Sequence, residues 1–253
     1  MTVEPLTLHN PPIVEAVLDI ECDFASSQSI ADLEKQAAEK LRDRYPKSRR
    51  QFTQQFIMEF SASPPAESDM PVPSVSALQF AHDDGKQLIQ FRDTGYSFNR
   101  LAPYRSLDEY LPEIQRTWDI FRELFVPILI RMVRLRYINR LKLPLDKSKI
   151  ELNEYLKVGP RLPDEDSQSL FGFLNQHQMF EKETGHLITT VLMAEEVKDD
   201  KLLPVIFDNM VAAPVDTDPA DWPKIEATIQ SLRDLKNKVF SGTLTEKCLH
   251  LYR

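Results

Sequence analysis

The sequence predicts an α+β fold: two β-α-β(n)-α halves, residues 1–130 and 131–253, fused into one domain as a curved antiparallel sheet with long helices on one face. Three observations lead there. Two segments alternate ionisable and apolar residues: Glu15, Asp19, Glu21 and Asp23 against Val14, Ala16, Leu18 and Ile20, then Arg134, Arg136, Arg140 and Lys142 against Val133, Leu135, Tyr137 and Leu141. Residues two apart on a strand share a face and lie about 7 Å from one another, so each segment has one charged side and one apolar side. Two long segments, beginning near Ser106 and Asp221, repeat apolar residues at three and four, which is the helical period. Finally, the order strand, helix, several strands, long helix recurs in the second half, without a residue-level repeat of fixed period.

The first strand runs over about residues 13–24. A helix follows from Ser29 to about Tyr45, with Ile30, Leu33, Ala37 and Leu41 on its apolar face and Pro46 as its stop. Phe52, Phe56, Met58 and Phe60 alternate with polar residues as a second strand, and the Ser/Pro-rich stretch from Ser61 to Ser76 reads as an exposed loop. Segments 77–82 and 86–92 flank Asp83-Asp84-Gly85, where the glycine accepts the positive φ of a tight hairpin, and Asp93-Thr94-Gly95 repeats the device before Tyr96, Phe98 and Leu101. Ser106 and Glu109 have capping-box spacing ahead of Leu111, Ile114, Trp118, Phe121 and Phe125, while Pro112 implies a later start or kinked first turns.

In the second half a basic strand covers about residues 132–143, a short helical stretch lies near Leu152 to Lys157, and strands cover about 168–181, 186–196 and 203–212. Glu183-Thr184-Gly185 turns the hairpin between the first two of these. Asp221 caps a helix through Ile225, Ile229, Leu232, Leu235 and Val239 that is expected to leave by a left-handed turn at Gly242, and Thr243 with Glu246 forms a second capping box before Cys248 and Leu251.

A chain of 253 residues with 42% apolar residues fills a sizeable core, and its net charge of −8 works against non-specific attraction to nucleic acid or anionic lipid. The longest apolar run, from Leu124 up to Arg131, is far shorter than the roughly 20 residues of a spanning helix, and the first residues lack the basic-then-apolar order of a secretory signal. Cys22 and Cys248 lack metal or redox spacing, so they read as buried thiols in a reducing, cytoplasmic setting.

Chemistry concentrates on the charged strands. In one reading Glu15, Asp19 and Glu21 pair with the arginines in a cross-strand ladder, each pair contributing about 0.2–1 kcal/mol and opposing register slips. In another, Arg134, Arg136 and Arg140 hold a carboxylate or phosphate on the open face, because a guanidinium binds either in a bidentate way, and separately Arg100 and Tyr104 of the segment Asn99 to Tyr104 are candidates to orient a ligand. Arg100 and Tyr104 also fit ordinary structural duty where a strand runs into a helix. The chain has no Gly-x-Ser-x-Gly elbow, phosphate-binding glycine loop, His-Glu-x-x-His or zinc spacing, and only six glycines in all. His9, His82, His177, His186 and His250 have no partner at ligand spacing. Arg44, Lys47, Arg49 and Arg50 read as a solvated basic turn. No metal site, cofactor or catalytic residue is assigned.

The element order resembles the duplicated sheet of the TATA-binding protein and, less closely, helix-grip folds, a likeness of fold that carries no function. Acidic strands beside basic ones also resemble the triphosphate tunnel enzymes, but their Glu-x-Glu-x-Lys signature has no counterpart here, where Glu21-Cys22-Asp23-Phe24-Ala25 lacks the lysine. Along almost the whole chain, Asn10 to Ile20 (NPPIVEAVLDI), Asn99 to Tyr104 (NRLAPY), Leu135 to Arg140 (LRYINR), Leu235-Lys236-Asn237 and Leu244 to Lys247 (LTEK) resemble a sporadically distributed family of uncharacterised bacterial proteins. The resemblance implies a prokaryotic cytosolic protein of patchy occurrence, as in accessory defence, immunity or toxin–antitoxin modules, and carries over no catalytic residue.

The functional expectation is therefore a cytoplasmic, non-enzymatic component that binds another protein. The alternative is binding, or metal-assisted hydrolysis, of a small phosphorylated or carboxylated ligand on the charged face. Membranes are not expected as partners, and duplex nucleic acid is disfavoured by the acidic stripe.

Overall fold

A computed structural model describes residues 8–25, 30–53, 74–146, 150–160, 172–197 and 201–253. Among these, nine strands form one open antiparallel sheet: β1 (Ile13–Phe24), β2 (Lys47–Thr53), β3 (Ser74–Ala81), β4 (Gln87–Arg92), β5 (Gly95–Leu101), β6 (Pro127–Pro144), β7 (Leu174–Phe180), β8 (Leu187–Ala194) and β9 (Leu202–Thr217). The spatial order is β2-β3-β4-β5-β1-β6-β9-β8-β7. Four helices accompany it: α1 (Ile30–Leu41), α2 (Leu107–Phe125), α3 (Trp222–Thr243) and α4 (Glu246–His250). The expected division between residues 130 and 131 falls inside β6.

The central pair is β1 against β6, with Leu18 opposite Leu135 and Asp19 opposite Arg134. Because alternate residues face opposite ways, this register sends Ala16, Leu18, Ile20, Val133, Leu135 and Tyr137 to the helical face, where all six are buried. They meet Ile114, Trp118 and Phe121 of α2 and Ile225, Ile229 and Leu232 of α3 in the larger core. A second cluster joins Leu141, Leu143 and Phe207 to Phe240 of α3 and to Cys248 and Leu249 of α4. Burial pushes both thiols, Cys22 and Cys248, up to about 12, so they act as small apolar side chains. No described helix is long and apolar enough to cross a membrane.

The turn chemistry holds at Gly85 (φ 64°) and Gly185 (φ 72°). Gly95 is more demanding, since its φ is 144° and a Cβ there would meet the Ile20 carbonyl oxygen at 2.0 Å. Ser106 accepts from the Glu109 amide and α2 starts at Leu107, so Pro112 lies within the helix and the later start is not taken.

Four local expectations change. Lys47, Arg49 and Arg50 belong to strand β2, which pairs with β3 from Lys47 to Thr53, and are not a turn. The part of the expected loop at Ser74–Ser76 is the start of β3, while residues 54–73, which include Phe56, Met58 and Phe60, lie outside the described residues. Gly242 stays helical, because α3 continues to Thr243 and Leu244 leaves in an extended conformation to bridge Leu156. Thr245, not Thr243, caps α4 by accepting from the Cys248 amide, while the Thr243 hydroxyl donates back to the Val239 carbonyl within α3.

Candidate functional site

The charged strands do turn their ionisable groups to one side. Asp19 receives Arg134 Nη1 at 3.2 Å and also Arg92 of β4, which reaches across β5 beside Gly95. Arg134 extends to Glu21 at 2.5 Å, and Arg131 binds Asp23 at 2.6 Å and Asp216 at 2.5 Å. Glu15 accepts instead from the Asn99 amide at 2.9 Å. The remaining arginines turn the other way, toward β8 and β9. Arg136 grips Asp208 through Nε and Nη2 at 2.5–3.0 Å, which holds its guanidinium above the ordinary arginine range, and Arg140 Nε reaches Glu195 at 2.6 Å.

The result is an alternating ribbon of charge from β4 to β8 in which Arg134, Arg136 and Arg140 each already hold a carboxylate. Asp208 and Arg92 stand alone among uncharged neighbours on their strands and Glu195 lies just past β8, so only the strand order brings them beside the arginines.

Arg100 and Tyr104 do not join this face. Arg100 lies opposite Ala16 and Gln87, and Ala16 belongs to the buried set, so strand alternation places Arg100 on the helical side. It donates to Asp84 at 2.7 Å and lies over the Tyr110 ring. Burial raises the Asp84 carboxyl, but the Lys86 amide and the Arg100 guanidinium outweigh it and bring its pKa down to about 2. Tyr104 shares a 2.7 Å hydroxyl contact with Tyr137 beneath α2. The candidate ligand-binding residues are thus divided by the sheet, with Arg134, Arg136 and Arg140 on one face and Arg100 and Tyr104 on the other.

A crevice beside Arg100 and Tyr104, lined by Leu18, Phe98, Tyr110 and Leu135, has room for about one water molecule and is far smaller than an ordinary ligand pocket. Nearby, Lys236 of α3 sits with Nζ 3.9 Å from the Tyr137 ring centre, and burial, with Arg233 adding to it, lowers its pKa to about 7. The Lys236 carbonyl accepts from Asn209, whose own side-chain oxygen is buried and finds no partner among the described residues. Of these groups only Tyr104 was a candidate from the sequence, because the cluster joins four separate segments at Tyr104, Tyr137, Asn209 and Lys236. No group of three or more His, Cys, Asp or Glu among the described residues could hold a metal ion.

On the charged face of the second half, the register places Leu174 beside Met193 and Phe180 beside Leu187. All four are exposed, Leu174 and Phe180 by 67% and 64%, and Val191, Ile206 and Met210 continue the apolar surface toward Arg136. The first half of that face differs, with Gln79, Ser97 and Asn99 buried. No family model and no curated protein matches the chain.

Proposed function

We propose that this chain is a non-enzymatic, cytosolic interaction protein whose charged face, at its second half, docks another protein. The observation that carries the reading is the apolar band of Leu174, Phe180, Leu187 and Met193 bordered by the Arg136–Asp208 and Arg140–Glu195 pairs. An exposed apolar patch rimmed by charge is the usual make-up of a protein interface. The anion-binding alternative has less support, since a phosphate at Arg136 or Arg140 must first displace a carboxylate that the fold supplies.

The element order supports descent from two β-α-β(n)-α units in a TATA-binding-protein-like arrangement. β1 and β6 meet at the centre, and each lies beside the last strand of its own half, β5 or β9. In the bacterial family that the sequence resembles, a scaffold of this kind fits an accessory defence, immunity or toxin–antitoxin module.

The test is affinity purification from the native host with the wild type, Leu187→Asp and Arg136→Ala. A stoichiometric partner retained by Arg136→Ala and lost with Leu187→Asp supports docking on the apolar band. Hydrolysis of a phosphate ester by the wild type that disappears in Arg136→Ala overturns it in favour of the enzymatic alternative.

A further inference from the structure

We propose that β7 pairs antiparallel with β7 of a second copy of this chain, about a two-fold axis through His177, so that the two sheets become one. The inference goes beyond the docking of a different protein and stands on the strand edge, with the apolar band extended across it.

An edge strand offers a row of unpaired amides and carbonyls, and proteins that remain single blunt such edges with charge, proline or a bulge. The two edges of this sheet are treated differently. β2 carries Lys47, Arg49 and Arg50 and a register irregularity at Gln51/Phe52. β7, Leu-Asn-Gln-His-Gln-Met-Phe, carries no Lys, Arg, Asp, Glu or Pro, and it pairs with β8 through seven successive residues without a shift. None of its residues is buried, and among the described residues no strand lies on its outer side. Among the described residues it is an undefended edge that contributes little to its own core.

The sequence of β7 is also self-complementary. In a symmetric antiparallel pair centred on His177, Leu174 faces Phe180 of the second copy, Asn175 faces Met179, and Gln176 faces Gln178. The first and last of these pairings lie on the charged face. There the existing register has already set Met193 beside Leu174 and Leu187 beside Phe180. The pairing therefore completes an apolar row, Met193–Leu174–Phe180–Leu187, that crosses from one copy to the other twice, once on each side of the axis. Gln176 and Gln178 form side-chain amide contacts between the rows. Glu181, just past the strand, falls opposite Phe173, so no like charges meet. A closed two-fold contact uses up both edges and leaves β2, with its cations, at each end of the doubled sheet.

Sedimentation velocity on the full chain tests this across a concentration series. The wild type is expected to pass from a 29.3 kDa monomer to a species of twice that mass. His177→Glu and His177→Lys each set like charges across the axis, so each is expected to weaken the dimer at least tenfold, and an equimolar mixture is expected to restore it as a heterodimer. His177→Cys guards against loss of folding by the charged variants. With Cys22 and Cys248 buried, mild oxidation is expected to give a covalent dimer through position 177 alone. A wild type that remains monomeric at all concentrations overturns the proposal, as does a dimer that keeps its strength in both folded charged variants or a His177→Cys protein that yields no covalent dimer. Because position 177 projects to the helical side, away from Leu187, a failed dimer leaves the docking reading to its own test.

Discussion

Asp19 and Arg134 stand directly opposite each other on the two central strands, Oδ1 to Nη1 at 3.2 Å, while the second oxygen of Asp19 is taken by Arg92 from two strands away. One carboxylate thus ties three strands, β4, β1 and β6, across the middle of the sheet. Partly exposed ion pairs of this kind are individually modest, so the arrangement acts chiefly on register: a slip of one residue would send Asp19 into the core.

Asp19→Ala is expected to lower stability by about 1–2 kcal/mol, because the partly buried Arg92 guanidinium loses its carboxylate and Arg134 keeps only Glu21. A double-mutant cycle of Asp19→Ala with Arg134→Ala, followed by urea unfolding, is expected to give a coupling of about 0.5–1 kcal/mol that shrinks in molar salt. Zero coupling at low salt would show the pair to be incidental.

Gly95→Ala is expected to cost more than about 3 kcal/mol, since the added methyl meets the Ile20 carbonyl at 2.0 Å while φ stays at 144°. Gly85→Ala, with open space around it and φ at 64°, is expected to cost only about 1 kcal/mol. Chemical denaturation of the two proteins side by side checks the contrast, and equal losses would contradict the close approach of β5 to β1.

The Tyr104 and Tyr137 hydroxyls satisfy each other at 2.7 Å beneath α2. Removing either alone leaves a buried hydroxyl without its partner, so Tyr104→Phe and Tyr137→Phe are each expected to cost about 1–2 kcal/mol, and the double variant less than their sum. Thermal unfolding of the three proteins measures this, and strict additivity would argue against the contact.

Lys236 makes stability depend on pH. In the folded protein burial lowers its pKa to about 7, against 10.5 for a free lysine. Between those values the unfolded chain holds the extra proton, so the penalty shrinks as pH rises from 7 toward 10.5 and is full below pH 7. Lys236→Met is expected to raise stability at pH 7 by about 1–2 kcal/mol, because each pKa unit corresponds to about 1.4 kcal/mol and the Tyr137 ring returns part of the cost. The advantage is expected to fade by about pH 10 in paired denaturation curves. A difference constant with pH would mean that the amine titrates normally.

Much of the fold was legible because it rests on short-range rules. Alternation fixed the faces of β1 and β6, turn glycines marked the hairpins at Gly85 and Gly185, and Ser106 and Asp221 marked helix starts. The errors lie where a second segment intervened. Leu244 is drawn out of a left-handed exit by its bridge to Leu156, and Lys47, Arg49 and Arg50 become a strand because β3 offers them a ladder.

The candidate site divides in the same way. From the chain alone came the acidic and basic faces of the two central strands, because side-chain direction along a strand follows from its own period of two. Only the tertiary structure decided that Arg136 and Arg140 are held by Asp208 and Glu195, that Arg100 and Tyr104 lie beneath the helices, and that the uncharged strand Leu174–Phe180 ends the sheet. Partner choice and edge position depend on the order in which distant strands come together, and that order is set by the burial of the whole apolar face rather than by any local run of residues.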